Sequence, residues 1–197
     1  MEIVAKQQGR TFVWTIPNLL SFLRILSIPF VVIFLHFSDP LSSFLAALIF
    51  TIAGITDLLD GYIARQQRSE TAFGRLLDPM ADKLLILSAL IMLVSLGRVA
   101  AWMVVLIVAR EVAITGLRGI ASAEGLIIPA SQWGKAKTML QSLALIGLLL
   151  HYEYPGINFH LLGMILLWVA LAVTVWSGVD YFSKFYRLHW KKRIQHR

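Results

Sequence analysis

The chain has 197 residues, is 58% hydrophobic and has a mean hydropathy of +0.74, so it is one domain by length and not a water-soluble globule by composition. It contains no cysteine, which excludes a disulfide scaffold. The net charge of +7 does not imply nucleic acid, because the basic residues flank apolar runs, where they set topology and meet anionic headgroups at about 1 kcal/mol each.

Residues 3–14 mix Ile3, Val4, Phe12, Val13 and Trp14 with Lys6, Gln7, Gln8 and Arg10, which predicts a short interfacial helix within segment 1–15. Apolar segments follow at 16–37, 41–59, 82–97, 99–122, 136–152 and 158–182. Most approach the ~20 residues that a helix needs to cross hydrocarbon. The third is short and gains Leu76 and Leu77 upstream. The first is too long for the core of a cleaved signal peptide and reads as a retained anchor. Turns are marked by Ser38-Asp39-Pro40 and Tyr154-Pro155-Gly156, and the polar connection 66–77 carries Gly74. The expected fold is therefore an all-α integral membrane protein of six transmembrane helices, one membrane domain over 1–197 with a basic cytoplasmic tail at 184–197.

Orientation follows from the cations. Lys6 and Arg10 precede the first segment, and Arg65, Arg68, Arg75 and Lys83 surround the second connection. Arg118, Lys135 and Lys137 surround the fourth, and six basic residues from Lys184 onward follow the sixth segment, whereas the other side has Arg98 alone. The positive-inside rule places both termini on the cytoplasmic side. Trp14, Trp102, Trp133 and Trp190 fall near segment ends, as aromatic belts do.

Four acids interrupt this apolar chain within 26 residues: Asp57, Asp60, Asp78 and Asp82. Acids beside apolar spans are costly and point to function. Asp57, Asp60, Gly61 and Ala64 fall at i, i+3, i+4 and i+7, one stripe of a helix, and Asp78 and Asp82 share a face at i and i+4. Carboxylates without His or Cys select hard cations such as Mg²⁺, Mn²⁺ or Ca²⁺. Arg65 suits a phosphate oxygen, Gly61 and Ala64 leave a groove, and Gly74 would close over it from a loop. Each feature has a plainer reading. Asp78 before Pro79 fits a helix N-cap followed by Pro at the first helical position, and Gly61 with Ala64 fits helix–helix packing.

The pattern Asp57-x2-Asp60-Gly61-x2-Ala64-Arg65-x8-Gly74-x3-Asp78-x3-Asp82 resembles the signature of the CDP-alcohol phosphotransferases at every fixed position. That resemblance implies a six-helix membrane protein, usually a homodimer, with its site in a cytoplasm-facing polar cavity. It implies that Asp57, Asp60 and Asp78 hold divalent metal and the CDP diphosphate. Asp82 would complete the metal site and act as general base, with Mg²⁺ or Mn²⁺ as two ions. Gly61, Ala64, Arg65 and Gly74 would line the cytidylyl pocket.

The acceptor must be read elsewhere. Arg110 and Arg118 are eight residues apart, about 12 Å and 80° along a helix, so both can face one cavity. Lys135 and Lys137 stand at the entrance of the fifth segment, and together the four suit an anionic acceptor. Positive-inside topology for the lysines and pairing of Arg110 with Glu111 are the plainer alternatives. Ala109-Arg110-Glu111-x2-Ile114-Thr115-x2-Arg118 and Gly134-Lys135-x-Lys137-Thr138-x2-Gln141 are similar to bacterial phosphatidylglycerophosphate synthases of that family. So are Ile16-Pro17-Asn18-Leu19-Leu20-x3-Arg24 and Leu77-Asp78-Pro79-x-Ala81-Asp82-Lys83. This implies a bacterial cytoplasmic-membrane enzyme with CDP-diacylglycerol as donor and glycerol 3-phosphate as acceptor. The acceptor phosphate would then bind Arg110, Arg118, Lys135 and Lys137, with the role of Arg24 open. A cardiolipin synthase of the same family is the nearest rival, and a cation transporter a remote one.

Overall fold

The computed structural model describes residues 16–37, 39–67, 72–125, 132–154 and 156–195, with side chains of 16, 17, 57–67, 72–76, 132, 154 and 190–195 excepted. Among the described residues six α-helices follow one another: α1 Ile16–His36, α2 Pro40–Gln67, α3 Ala72–Ser95, α4 Ala101–Ala123, α5 Gln132–Leu150 and α6 Phe159–Gln195. A ribbon of β1 (Glu153–Tyr154) and β2 (Ile157–Asn158) joins α5 to α6, with Glu153 opposite Asn158 and Gly156 at φ 77° in its turn. The interfacial helix expected over 1–15 lies outside the described residues.

The helices outrun the apolar segments that announced them. Helix hydrogen bonding does not depend on side-chain polarity, so α2 continues through the acidic motif to Gln67. The helix α3 begins at Ala72, which leaves a connection of 68–71 only. Gly74 therefore belongs to the first turn of α3 and not to a loop, contrary to its expected place. Asp78 and Pro79 are likewise interior to α3, so the capping explanation for this pair fails. The helix α6 runs for 37 residues, about 55 Å at 1.5 Å per residue, so the basic tail begins as a continuation of the last helix.

Two glycines bring α5 and α6 together. A Cβ on Gly163 would stand 2.6 Å from the backbone nitrogen of Leu148, and one on Gly147 would stand 2.9 Å from the Cα of Gly163. Small residues permit this backbone approach, the usual means of packing helices in lipid. Elsewhere α1 packs on α2 and α3. The central cluster includes Leu35, Ala46, Phe50, Leu93, Ile107 and Leu148.

Apolar side chains cover the exterior as well as filling the core, and several polar ones are buried. Ser21, Arg24, Ser43, Arg98, Gln141, Thr174 and Ser177 are buried, while Phe22, Phe30, Ile33, Ile91, Trp168 and Trp176 are exposed. Among the described residues, Asn18–His36 and Phe159–His189 are long and apolar enough to cross a membrane, and Pro40–Thr56 is a shorter apolar helix. Arg98, in the turn after α3, donates to Ser43 Oγ at 3.2 Å and to the Leu149 carbonyl at 3.3 Å. Its guanidinium lies 5.9 Å from the centre of the Tyr152 ring, so this cation ties together the ends of α2, α3 and α5.

Candidate active site

A cavity of about 830 Å³ opens among α2 to α6. Its wall carries Asp82 and Lys83 from α3, Arg110, Glu111 and Arg118 from α4, Lys135 and Lys137 from α5, and Ser177 and Tyr181 from α6. Five cationic side chains face two carboxylates there, so the cavity favours anions. The four cations singled out by sequence thus meet in one place, together with Asp82.

They are not equivalent. Arg110 Nη1 donates to Glu111 Oε1 at 3.0 Å, and Lys137 Nζ donates to the same oxygen. Arg110 Nη2 donates to Ser177 Oγ at 2.9 Å. The side chains of Arg110, Glu111 and Lys137 keep only 16%, 17% and 6% of their exposure, so one acid compensates two largely desolvated cations. A buried charge needs such a partner. Arg118 and Lys135 line the cavity as exposed residues and form no ion pair among the described residues. Of the four cations expected to hold the acceptor, Arg118 and Lys135 are therefore charge-available, whereas Arg110 and Lys137 are already shared with Glu111. Lys83 Nζ donates to Thr115 Oγ1 at 2.6 Å and joins α3 to α4 at the rim.

The acidic motif is described in part. Asp78 is half-buried and accepts a hydrogen bond from Ser21 Oγ of α1. Asp82, one turn further, lines the cavity and lies close enough to Lys137 for their charges to interact. Asp57, Asp60, Gly61, Ala64 and Arg65 lie on the backbone of α2, and their side chains, like the setting of Gly74, fall outside what is described. Gly54 lines the cavity and precedes Asp57 by three residues in the same helix. Arg24 is buried and its Nε donates to the Ala53 carbonyl at 3.3 Å, four residues ahead of Asp57. That contact supports the helix that leads into the motif. Asp78 and Asp82, one turn apart on α3, offer carboxylate oxygens only, a donor chemistry that suits Mg²⁺ or Mn²⁺ better than a soft metal; Asp82 lines the cavity, whereas Asp78 is bonded to Ser21.

Sequence reasoning did not assign a site role to Glu111, Ser177, Gln141 or Tyr181. Glu111 had only its adjacency to Arg110 as a signal. Gln141 stands one turn after Lys137, and Ser177 and Tyr181 stand one turn apart on α6.

A profile of the CDP-alcohol phosphatidyltransferase family matches residues 14–176. The chain is 41% identical over 186 residues to the CDP-diacylglycerol–glycerol-3-phosphate 3-phosphatidyltransferase of Bacillus subtilis, covering 87% of this chain and 95% of that protein. It is 40% identical over 169 residues to the Rickettsia bellii protein of the same name, covering 85% and 93%. It is 39% identical over 176 residues to the Haemophilus influenzae one, covering 86% and 92%.

Proposed function

Because the chain belongs to the CDP-alcohol phosphatidyltransferase family, we propose that it transfers the phosphatidyl group of CDP-diacylglycerol to sn-glycerol 3-phosphate, releasing CMP. The observation that carries this reading is the juxtaposition of Asp82 with an excess of cations in one cavity. A small anionic acceptor is drawn to such a site, and its hydroxyl is brought beside a carboxylate.

The acceptor phosphate binds Arg118 and Lys135 at the mouth, with Arg110 and Lys137 beneath them. Asp82 takes the proton of the terminal hydroxyl as that oxygen bonds to the lipid-bearing phosphorus. The bond between this phosphorus and the bridging oxygen breaks, and CMP leaves with the electron pair. Asp57, Asp60, Asp78 and Asp82 would hold two Mg²⁺ or Mn²⁺ ions, whose charge would offset that of the diphosphate. Arg65, Gly61, Ala64 and Gly74 take the cytidylyl end.

The apolar exterior and the six helices support six membrane spans, with both termini and the cavity mouth facing the cytoplasm of a bacterial inner membrane. The working unit is a homodimer by family analogy. The test is CMP release by purified protein in detergent, with CDP-diacylglycerol, Mg²⁺ or Mn²⁺, and glycerol 3-phosphate, phosphatidylglycerol, serine or inositol phosphate offered separately. Metal-dependent release with glycerol 3-phosphate alone is expected, and Asp82→Asn should lower it about 10²–10⁴-fold while CMP still binds. Release with phosphatidylglycerol alone refutes the acceptor assignment.

A further inference from the structure

Two side chains in the cavity wall take no part in the charge network. Gln141 is 1% exposed and Tyr181 6% exposed, and both line the cavity. Neither the amide nitrogen of Gln141 nor the hydroxyl of Tyr181 has a hydrogen-bond partner among the described protein atoms. Buried polar atoms are nearly always satisfied, and an apolar side chain of equal size would fill the same space without the desolvation cost. Their placement follows the charged residues. Gln141 lies one turn beyond Lys137 on α5, and Tyr181 one turn beyond Ser177 on α6. The Nε of Arg110 is a third donor without a protein partner, its other two nitrogens being held by Glu111 and Ser177.

The chemistry of this wall differs from that of the mouth. Arg118 and Lys135 supply exposed positive charge, which suits a phosphate. An amide and a phenol are neutral donors, which suit an uncharged oxygen with lone pairs to spare. We propose that Gln141 and Tyr181 recognise the non-reacting secondary hydroxyl of the acceptor, so that the cavity selects a vicinal diol phosphate; this rests on the acceptor reading above. A secondary hydroxyl accepts two hydrogen bonds, one from each residue, and leaves the terminal hydroxyl of the same molecule for Asp82. The two residues are thus specificity determinants. A site built to bond a substrate hydroxyl discriminates strongly against an analogue lacking it, because the wall is then left unpaired.

The experiment compares glycerol 3-phosphate with 3-hydroxypropyl phosphate, which keeps the phosphate and the terminal hydroxyl but lacks the secondary one. The wild type should prefer glycerol 3-phosphate by roughly 30-fold in kcat/KM, the worth of two neutral hydrogen bonds. In Tyr181→Phe, which deletes one oxygen atom, and in Gln141→Met the preference should fall to about 5-fold in each, the worth of the one bond that remains. Damage to packing alone slows both acceptors alike and leaves the ratio at the wild-type value, which would overturn the proposal. So would a wild type that does not distinguish the two acceptors. A wild type that releases CMP with phosphatidylglycerol but with neither small acceptor removes the acceptor reading and this proposal with it. Turnover of glycerol 3-phosphate with an unchanged ratio in both variants removes this proposal alone.

Discussion

The contact between α5 and α6 gives a quantitative test of the architecture. In Gly163→Ala the new Cβ would lie 2.6 Å from the Leu148 nitrogen, 2.8 Å from the Gly147 carbonyl carbon and 2.9 Å from the Ala144 oxygen. These are backbone atoms, so no side chain can swing aside. Moving the closest of them from 2.6 Å to the 3.4 Å at which ordinary contact begins requires the helices to part by about 0.8 Å. Overpacking of this kind costs ~1–3 kcal/mol. At about 2–4 °C per kcal/mol for a chain of this size, the unfolding midpoint should fall by ~2–12 °C. The assay is thermal unfolding of purified protein in one detergent, followed by circular dichroism, with Gly116→Ala as control. Gly116 has nothing within 4 Å of its would-be Cβ, so the control should match or slightly exceed the wild type. Gly147→Ala probes the same gap, and its effect should combine non-additively with that of Gly163→Ala. A Gly163→Ala midpoint within 1 °C or so of wild type would refute the close crossing.

Glu111→Gln leaves Arg110 and Lys137 as neighbouring, largely buried cations and should destabilise the fold by about 3–5 kcal/mol. Adding Lys137→Met should restore part of that loss, as measured by the same unfolding midpoint. Arg118→Ala and Lys135→Ala should each raise KM for glycerol 3-phosphate ~10–100-fold, the worth of one charge-assisted hydrogen bond. The KM for CDP-diacylglycerol should stay within about twofold, and equal changes in both would place these cations elsewhere in the reaction. His151, beyond the end of α5, has its pKa pushed down from 6.5 to about 4 by burial, by Arg98 and by His160. The unfolded chain therefore takes up a proton that the native state resists, so stability is full above about pH 6.5 and declines as pH falls toward 4. His151→Gln should flatten the stability profile in that window and leave it unchanged above pH 7.

Hydropathy located each of the six helices among the described residues, because a run of about twenty apolar residues has few alternatives. It misplaced the polar ends, since the backbone ladder continues wherever its own hydrogen bonds can form. That is why Asp78 and Pro79, a plausible cap by sequence, are interior to α3. The meeting of Arg110 with Arg118 was legible from their spacing on one helix. The sharing of Glu111 between Arg110 and Lys137 was not, because it depends on how α5 packs against α4. Gln141 and Tyr181 were hidden for a similar reason: their significance lies in the partners that the folded wall does not give them. Gly147 and Gly163 are ordinary glycines by sequence, and only their register makes them a crossing point.

The apolar exterior around a partly polar interior separates two properties that soluble enzymes entangle. Among the described residues, the side chains proposed to bind the acceptor line the cavity, and affinity for hydrocarbon is carried by outward ones such as Phe22, Phe30, Ile33, Trp168 and Trp176. Solvent preference can therefore be rewritten without touching the reaction chamber. Exchanging the outer shell for polar residues of similar volume, with Arg98 and the glycine crossing left in place, is a route to a water-soluble version of this fold.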